Sequence, residues 1–233
     1  MLKIGSVALG KRPVIVAPVG NVISQLLDDA RKAGTDMIEL RVDQLRVTSK
    51  DFILKQIKSI KEKKFPVILT IRKKDEGGVK NISDAARLKL FKELMSSVDA
   101  VDIEFFSNKI KKDVIDAAHA AGKKAIVSFH AFDFMPSTEL IKTIIKLAKK
   151  DGADIVKICV MVYNSEDKLT LAVLMFENQS KNLVIIGMGK EGRATRFTLP
   201  LFGSLFTYGF IKKANAPGQM SVKELKNIFS KFK

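Results

Sequence analysis

The stretch "GADIVKICV", residues 152–160, shows the pattern that decides the fold: a glycine is followed at once by a short run rich in Val and Ile. Glycine in this place is typical of the end of a helix, because it readily adopts the left-handed conformation that turns the chain back. The apolar run is typical of a strand buried on both faces of a parallel sheet. The same unit recurs as "GTDMIELRVD" from Gly34 and as "GKKAIVSFH" from Gly122. The sequence therefore predicts repeated βα units around a parallel sheet.

Eight such apolar runs occur along the chain, and segments of helical period lie between them. One of these segments is 21–33, for which we expect Asn21 to be the N-cap. Eight βα units in 233 residues, without a linker rich in Pro, Gly or Ser, predict an α/β fold: a (β/α)8 TIM barrel that spans 1–233 as one domain. An open, doubly wound sheet is the alternative. The predicted strands are 13–19, 36–42, 66–72, 100–106, 124–130, 153–160, 182–188 and 204–210.

The formal charge of +16 is compatible with a nucleic acid, an acidic membrane surface or an anionic substrate as partner. Lysines are distributed over every predicted helix, as Lys55, Lys58 and Lys61 show, and they do not cluster with aromatic residues in one stretch. We therefore expect neither a nucleic acid nor a membrane partner, and no apolar run is long enough to span a bilayer. The single cysteine and the two histidines offer no disulfide and no metal-ligand cluster, which predicts a cytoplasmic protein without a metal.

Ionisable and polar side chains cluster where the predicted strands end. In a barrel, the carboxyl ends of the strands together build the active site. Each charged residue taken alone is also compatible with a buried ion pair that only fixes geometry. The residues concerned are Glu39, Arg41, Asp43, Thr70, Arg72, Asp102, Glu104, Ser128, His130 and Lys157.

Lys157 is the most informative of these residues, because an ammonium group in the middle of an apolar strand has few structural explanations. Burial and nearby cations such as Arg72 or Arg196 would favour the neutral amine, which can attack a ketone and form an imine. The protonated imine then withdraws electrons and acidifies the neighbouring carbon, so a base is required. His130 is the candidate base, since the other histidine, His119, lies in a helical segment.

The segment "GMGKEG", 187–192, matches the glycine pattern of dinucleotide-binding folds but lies near the end of the chain instead of in the first βα unit. The pattern still suits an anion, because a helix N-terminus would be reinforced by Lys190, Arg193 and Arg196. We therefore interpret it as a site for a carboxylate or a phosphate.

Taken together and in order, several fragments resemble the type I 3-dehydroquinate dehydratases, hydro-lyases of the shikimate pathway. The resemblance covers nearly the whole chain. The matching fragments are "IELRVD" (38–43), "TIR" (70–72), "EGG" (76–78), "SFH" (128–130), "VKI" (156–158), "MGKEGRATR" (188–196), "FGS" (202–204) and "APGQ" (216–219).

The resemblance implies syn elimination of water from the anionic substrate 3-dehydroquinate to give 3-dehydroshikimate, in a homodimer and without a cofactor. By analogy, Lys157 forms the imine, His130 transfers the protons, and Glu76 orients His130. Two residues depart from the family pattern: Ala131 replaces the usual Asp or Asn, and Asn215 stands where many relatives have Ser. The substrate-binding residues implied by the resemblance are Glu39, Arg41, Arg72, Met188, Arg196, Asn215 and Gln219.

Two other functions are compatible with part of the sequence. A lysine-imine aldolase or transaldolase would also need Lys157, but its phosphate-ester substrates leave "APGQ" with Arg196 less well explained. A basic nucleic-acid-binding protein would explain the net charge but not the buried lysine.

Overall fold

The computed structural model describes residues 1–232 and contains eleven strands and nine α-helices in that range. The strands are β1 (Lys3–Ile4), β2 (Val7–Ala8), β3 (Ile15–Val19), β4 (Met37–Arg41), β5 (Val67–Thr70), β6 (Ala100–Glu104), β7 (Lys124–Ala131), β8 (Ile155–Met161), β9 (Leu183–Met188), β10 (Thr207–Phe210) and β11 (Met220–Ser221). The helices are α1 (Ser24–Ala33), α2 (Lys50–Glu62), α3 (Asp84–Leu94), α4 (Lys111–Ala120), α5 (Thr138–Lys150), α6 (Ser165–Glu177), α7 (Gly189–Gly192), α8 (Thr195–Leu201) and α9 (Val222–Phe229).

Strands β3 to β10 form the (β/α)8 barrel. From β3 through β9, consecutive strands pair with each other in parallel. Strand β10 returns to pair with β3, and β11 extends the sheet outside β10. The remaining seam, between β9 and the chain entering β10, is joined by the Leu205 N–H, which donates to the Leu183 carbonyl at 2.9 Å. The Ile185 N–H donates to the Ser204 hydroxyl at 3.1 Å across the same seam. This order confirms the predicted barrel and excludes the open, doubly wound alternative.

All eight predicted apolar runs contain a strand. The predicted strand 204–210 begins only at Thr207, because Ser204 bridges the seam with its side chain instead of joining a regular ladder. The glycine stops are confirmed, since Gly34, Gly122 and Gly152 have φ of +92°, +67° and +106°.

One local expectation about the chain failed, and one local element was missed. The prediction that Asn21 caps α1 is wrong: the helix begins at Ser24, and Asn21 accepts instead from the Arg46 N–H at 3.1 Å. The hairpin β1–β2 was not predicted, because strands of two residues leave no periodicity to detect.

Alternating side chains of the barrel strands build two apolar layers. One set points outward and packs under the helices, and the other fills the barrel interior. The interior set continues into the N-terminal hairpin, whose Ile4 and Leu9 pack with Met37, Ile68 and Ala100 near the amino ends of the strands. The hairpin therefore closes one end of the barrel, and the polar groups converge at the other end.

We predict that Ile4→Ala lowers the free energy of unfolding by about 2–5 kcal/mol, because it leaves a cavity where the hairpin closes the barrel. Urea denaturation measures the change. The control is Lys3→Ala on the exposed face of the same strand, which should stay within about 0.5 kcal/mol of the wild type. Equal effects of the two substitutions would contradict a closing role for the hairpin.

Candidate active site

A single cavity at the carboxyl ends of the barrel strands brings together all the catalytic and substrate-binding residues that the sequence predicted. Alternation along each strand explains why: residues two apart on β4, β7 and β8 point into the same interior. The predicted residues in the cavity wall are Glu39, Arg41, Arg72, Glu76, His130, Lys157, Met188, Arg196, Asn215 and Gln219. Lys190 and Arg193, which were expected to reinforce the anion site, do not line it, and Arg193 binds Glu224 instead.

Lys157 lies at the middle of β8 and is only 3% exposed. Its Nζ donates to Asp102 Oδ2 at 2.6 Å and to the Tyr208 hydroxyl at 3.4 Å, and it lies 3.7 Å from Glu39 Oε1. The groups in contact with Nζ are thus carboxylates and a hydroxyl, not the cations that we expected beside it. Arg72 lies on the far side of Asp102 and binds the other carboxylate oxygen.

Asp102 is part of a chain of alternating charges that runs through the barrel wall. Arg72 donates to Asp102 Oδ1 at 2.7 Å and to Glu104 Oε1 at 3.0 Å, and Glu104 in turn receives the fully buried Arg87. Ser128 donates to Asp102 Oδ1 at 2.7 Å. Burial alone would raise the pKa of Asp102, but the Arg72 and Lys157 charges hold that pKa well below its usual range. Lys157 is therefore held by an anion whose own position is fixed by two further donors, Arg72 and Ser128.

His130 and Glu76 form a second pair beside the lysine. The Glu76 Oε2 atom lies 3.0 Å from His130 Nδ1 and also accepts from the His130 backbone N–H at 3.1 Å. Burial, followed by the charges of Arg72 and Lys157, lowers the pKa of His130 well below its ordinary value. Burial raises the pKa of Glu76 to about 8. Near neutral pH the pair is accordingly a neutral imidazole against a protonated carboxyl group.

Arg196 provides an anion site in the same cavity. It lies on α8 and is 1% exposed, and its NH2 group donates to the Pro217 carbonyl at 2.9 Å. Its Nε has no hydrogen-bond partner in the described part of the chain, and burial lowers its pKa to about 10. A buried guanidinium with an unpaired donor favours an incoming carboxylate or phosphate.

The glycines of the 187–192 motif serve backbone packing. A Cβ on Gly192 would lie 2.5 Å from the Gly187 carbonyl carbon, and one on Gly187 would lie 2.6 Å from Thr195 Oγ1. This close approach of β9 and α7 sets the position of α8 and hence of Arg196. The expected anion site is therefore formed by a guanidinium on α8.

The segment after β10 covers one side of the cavity. Gln219 Oε1 accepts from the Asn215 backbone N–H at 2.7 Å, and the Asn215 side chain donates to the Pro18 carbonyl at 3.3 Å. On the opposite rim, Arg41 donates to Asp43 at 2.8 Å and to the Gly77 carbonyl at 3.1 Å, which ties the loop bearing Glu76 to the end of β4.

Sequence reasoning missed three residues of this site. Asp102 was noted as a strand-end carboxylate but was not assigned to the site, although its alternation with Glu104 was a usable signal. Tyr208 also lines the cavity, and its place on a predicted strand gave no indication of its contact with Lys157. Arg87 reaches the charge network from α3, and no sequence pattern connects that helix with β6.

Comparisons of the sequence and of the fold with known proteins identify one family. The family model described as type I 3-dehydroquinase matches residues 14–233. A 3-dehydroquinate dehydratase of Methanococcoides burtonii is 36% identical over 228 residues, which cover 97% of this chain and 97% of the relative. The structure of 3-dehydroquinate dehydratase from Aquifex aeolicus VF5 matches with a TM-score of 0.84 at 31% identity and covers 94% of this chain and 99% of that chain.

A further solved structure, the type I 3-dehydroquinate dehydratase of Clostridium difficile with covalently modified comenic acid, has a TM-score of 0.90 at 28% identity, covering 99% of this chain and 96% of that chain. The fold and the family match thus extend over nearly the same residues as the barrel and its cavity. The chain belongs to the type I 3-dehydroquinase family.

Proposed function

We propose that this enzyme dehydrates 3-dehydroquinate to 3-dehydroshikimate by syn elimination through an imine formed on Lys157. The observation that carries the proposal is a buried lysine that shares one cavity with a neutral histidine and an incompletely paired arginine. The identity of the substrate is inferred from family membership, and the reaction mechanism is inferred from the side chains in the cavity. Family membership also favours the dehydratase over a phosphate-ester aldolase.

Lys157 attacks the substrate ketone as an amine, and the resulting imine carries a proton on nitrogen. That positive charge occupies the place of the original ammonium, 2.6 Å from the Asp102 carboxylate. Asp102 therefore stabilises the electron-withdrawing intermediate after the bond to substrate has formed. Because Arg72 and Ser128 hold Asp102, the anion needs no reorganisation during the reaction.

His130 acts as the base that removes the proton next to the imine carbon and then returns a proton to the departing hydroxyl. A neutral imidazole has one free nitrogen lone pair. In this proposal the His130 Nδ1–H donates to Glu76 Oε2, the oxygen that also accepts from the His130 backbone N–H, and Nε2 keeps the lone pair. In this proposal Glu76 is a positioning residue for His130.

Arg196 binds the substrate carboxylate, which completes the hydrogen bonding of its Nε. The remaining predicted contacts surround the ring and its hydroxyl groups. Asn215, where many relatives have Ser, can donate through its amide once it leaves Pro18. These further substrate contacts are Glu39, Arg41, Arg72, Met188, Asn215 and Gln219.

We predict that borohydride together with 3-dehydroquinate traps a covalent adduct on Lys157 and that Lys157→Ala forms none, because the attacking amine is missing. Intact-mass and peptide mass spectrometry detect the adduct. The matched control is Lys111→Met: this lysine is also buried and bound to Asp151 at 2.7 Å, but it lies outside the cavity, so its variant should be trapped normally. Product formation by the wild type without any adduct on Lys157 would contradict the imine route.

We predict that His130→Ala still forms the imine but turns over about 10³-fold more slowly, because imine formation and proton abstraction are separate tasks. In the wild type, kcat/KM should fall on the acid side with an apparent pKa below the ordinary 6.5 of histidine, since the base must be neutral and the pKa of His130 is lowered. Borohydride trapping with mass spectrometry tests imine formation by the variant, and stopped-flow assays between acidic and neutral pH measure its turnover and the acid limb of the wild type.

The control for the histidine is His119→Ala, because His119 is exposed on α4 and bound to Asp154. Its turnover and its acid limb should match those of the wild type. An acid limb well above 6.5 in the wild type would show that the environment of His130 does not favour the neutral form.

We also propose that the enzyme is a cytoplasmic homodimer that pairs through α6. The outer face of this helix carries Leu169, Val173 and Phe176, which are 65%, 46% and 73% exposed. In an antiparallel two-fold pairing, Leu169 of one copy faces Phe176 of the other, and Val173 lies next to the axis. No helix within residues 1–232 combines the length and the apolar character needed to cross a membrane.

We predict that Val173→Glu converts the dimer to a monomer, because the two introduced carboxylates meet near the axis in an apolar contact. Light scattering after size-exclusion chromatography gives the mass. The control is Ala120→Glu, which adds the same charge at an exposed position on α4 and should leave the dimer intact. A wild type with the mass of one chain, or a Val173→Glu variant that remains dimeric, would contradict the proposed interface.

A further inference from the structure

Tyr208 places a hydroxyl group against the reactive nitrogen of the site. It lies on β10, its side chain belongs to the interior layer of the barrel, and its ring packs edge-on against Phe206 at 5.8 Å. Its oxygen is 3.4 Å from Lys157 Nζ, and Nζ lies 4.9 Å from the centre of its ring. A phenylalanine would fill the same apolar surroundings, so packing alone does not account for the hydroxyl.

The hydrogen bonds of Tyr208 leave its proton available. The oxygen accepts from Lys157 Nζ, and within residues 1–232 the Tyr208 O–H has no acceptor of its own. A buried donor without an acceptor costs stability unless another group binds it. Because Tyr208 lines the cavity, that acceptor can be an atom of the substrate.

The other groups around Nζ cannot donate to a substrate oxygen in the same way. Asp102 is held as a carboxylate by Arg72, and Glu39 Oε1 already accepts from the Thr70 hydroxyl at 2.7 Å. Burial and the nearby Glu39 and Asp102 charges raise the pKa of Tyr208 well above its ordinary value, so the phenol stays protonated. A substrate oxygen next to Nζ thus meets acceptors on one side and a hydroxyl donor on the other.

We propose that the Tyr208 hydroxyl is a further catalytic group, which donates a hydrogen bond to the substrate oxygen on the carbon that Lys157 attacks. This inference rests on the imine route proposed above. Tyr208 would act in two steps: when the carbon–nitrogen bond forms, and when that bond is hydrolysed at the end of the cycle. It takes no part in the removal of the carbon-bound proton, which belongs to His130.

The step balances without a further reactant. The Nζ–carbon bond forms while the electron pair of the carbonyl π bond moves to oxygen, and the carbon–oxygen bond then breaks. Of the three protons of the lysine ammonium, two leave in the water molecule and one stays on the imine nitrogen. Tyr208 keeps its own proton throughout and stabilises the oxygen as charge develops on it.

The test compares Tyr208→Phe with the wild type and with Tyr163→Phe. Tyr163 is the other tyrosine of the chain; it is exposed and donates to the Asp133 carbonyl, so its variant removes a hydroxyl that does not line the cavity. Enzyme in excess over 3-dehydroquinate is quenched with borohydride at increasing times, and mass spectrometry follows the adduct. Parallel assays measure the kinetic isotope effect on kcat/KM with substrate deuterated at the carbon that loses its proton.

We expect Tyr208→Phe to slow adduct formation about tenfold, because the variant lacks one hydrogen bond to the reacting oxygen. The isotope effect should shrink towards one, because imine formation then limits the rate, while Tyr163→Phe keeps the wild-type values. A separate titration with 3-dehydroquinate and borohydride in excess over enzyme counts the active sites, so the rate constant stays interpretable even if part of the variant fails to fold.

Adduct formation by Tyr208→Phe at the wild-type rate would overturn the assignment. So would slower turnover with an unchanged or larger isotope effect, because the hydroxyl would then act on proton abstraction. Absence of any adduct in the wild type is a different result, since it removes the imine route itself and this inference with it.

Discussion

The ion pair between Lys157 and Asp102 is the interaction on which the site depends. A charged lysine in the interior of an apolar barrel requires an anion in contact, and that anion requires cations of its own. Arg72 supplies the first of these cations, Glu104 binds Arg72 from the far side, and Arg87 completes the chain from a neighbouring helix. The network therefore fixes the nitrogen in space and links its position to three strands and a helix.

The barrel makes this arrangement possible because its strands alternate inward and outward while they pair in register. Ser128 lies opposite Lys157 on β7 and β8, and Thr70 lies opposite Asp102 on β5 and β6. Polar groups thus form layers at one end, and apolar groups fill the end that the N-terminal hairpin closes. The polar and the apolar parts of the barrel interior are separated along the barrel axis. The charged side chains therefore contact one another and line the cavity, and they do not pack against the apolar core.

Burial shifts the pKa values of His130 and Glu76 in opposite directions. It disfavours the charged form of each, so the pKa of His130 falls while the pKa of Glu76 rises to about 8. The result is a neutral base positioned by a neutral carboxyl group, in a cavity whose arginines favour an anionic ligand. The same low polarity leaves Cys159 in the cavity wall as an unreactive thiol, because burial raises its pKa to about 11.

Much of the fold and of the site follows from sequence alone, because both depend on local patterns. Val- and Ile-rich runs, three of them after glycine stops, predicted every barrel strand, and a lysine within such a run marked the nucleophile. The sequence also predicted that Glu39 and His130 belong to one site, since strand ends converge in a barrel, and the anion motif together with the family resemblance added Arg196. Tertiary structure decided what each charge touches. Asp102 rather than a cation contacts Lys157, Arg87 joins the charge network from helix α3, and Tyr208 reaches the same nitrogen from the strand that closes the barrel. Contacts of this kind depend on the curvature and register of the whole sheet, and residues separated by tens of positions carry no local signal of them.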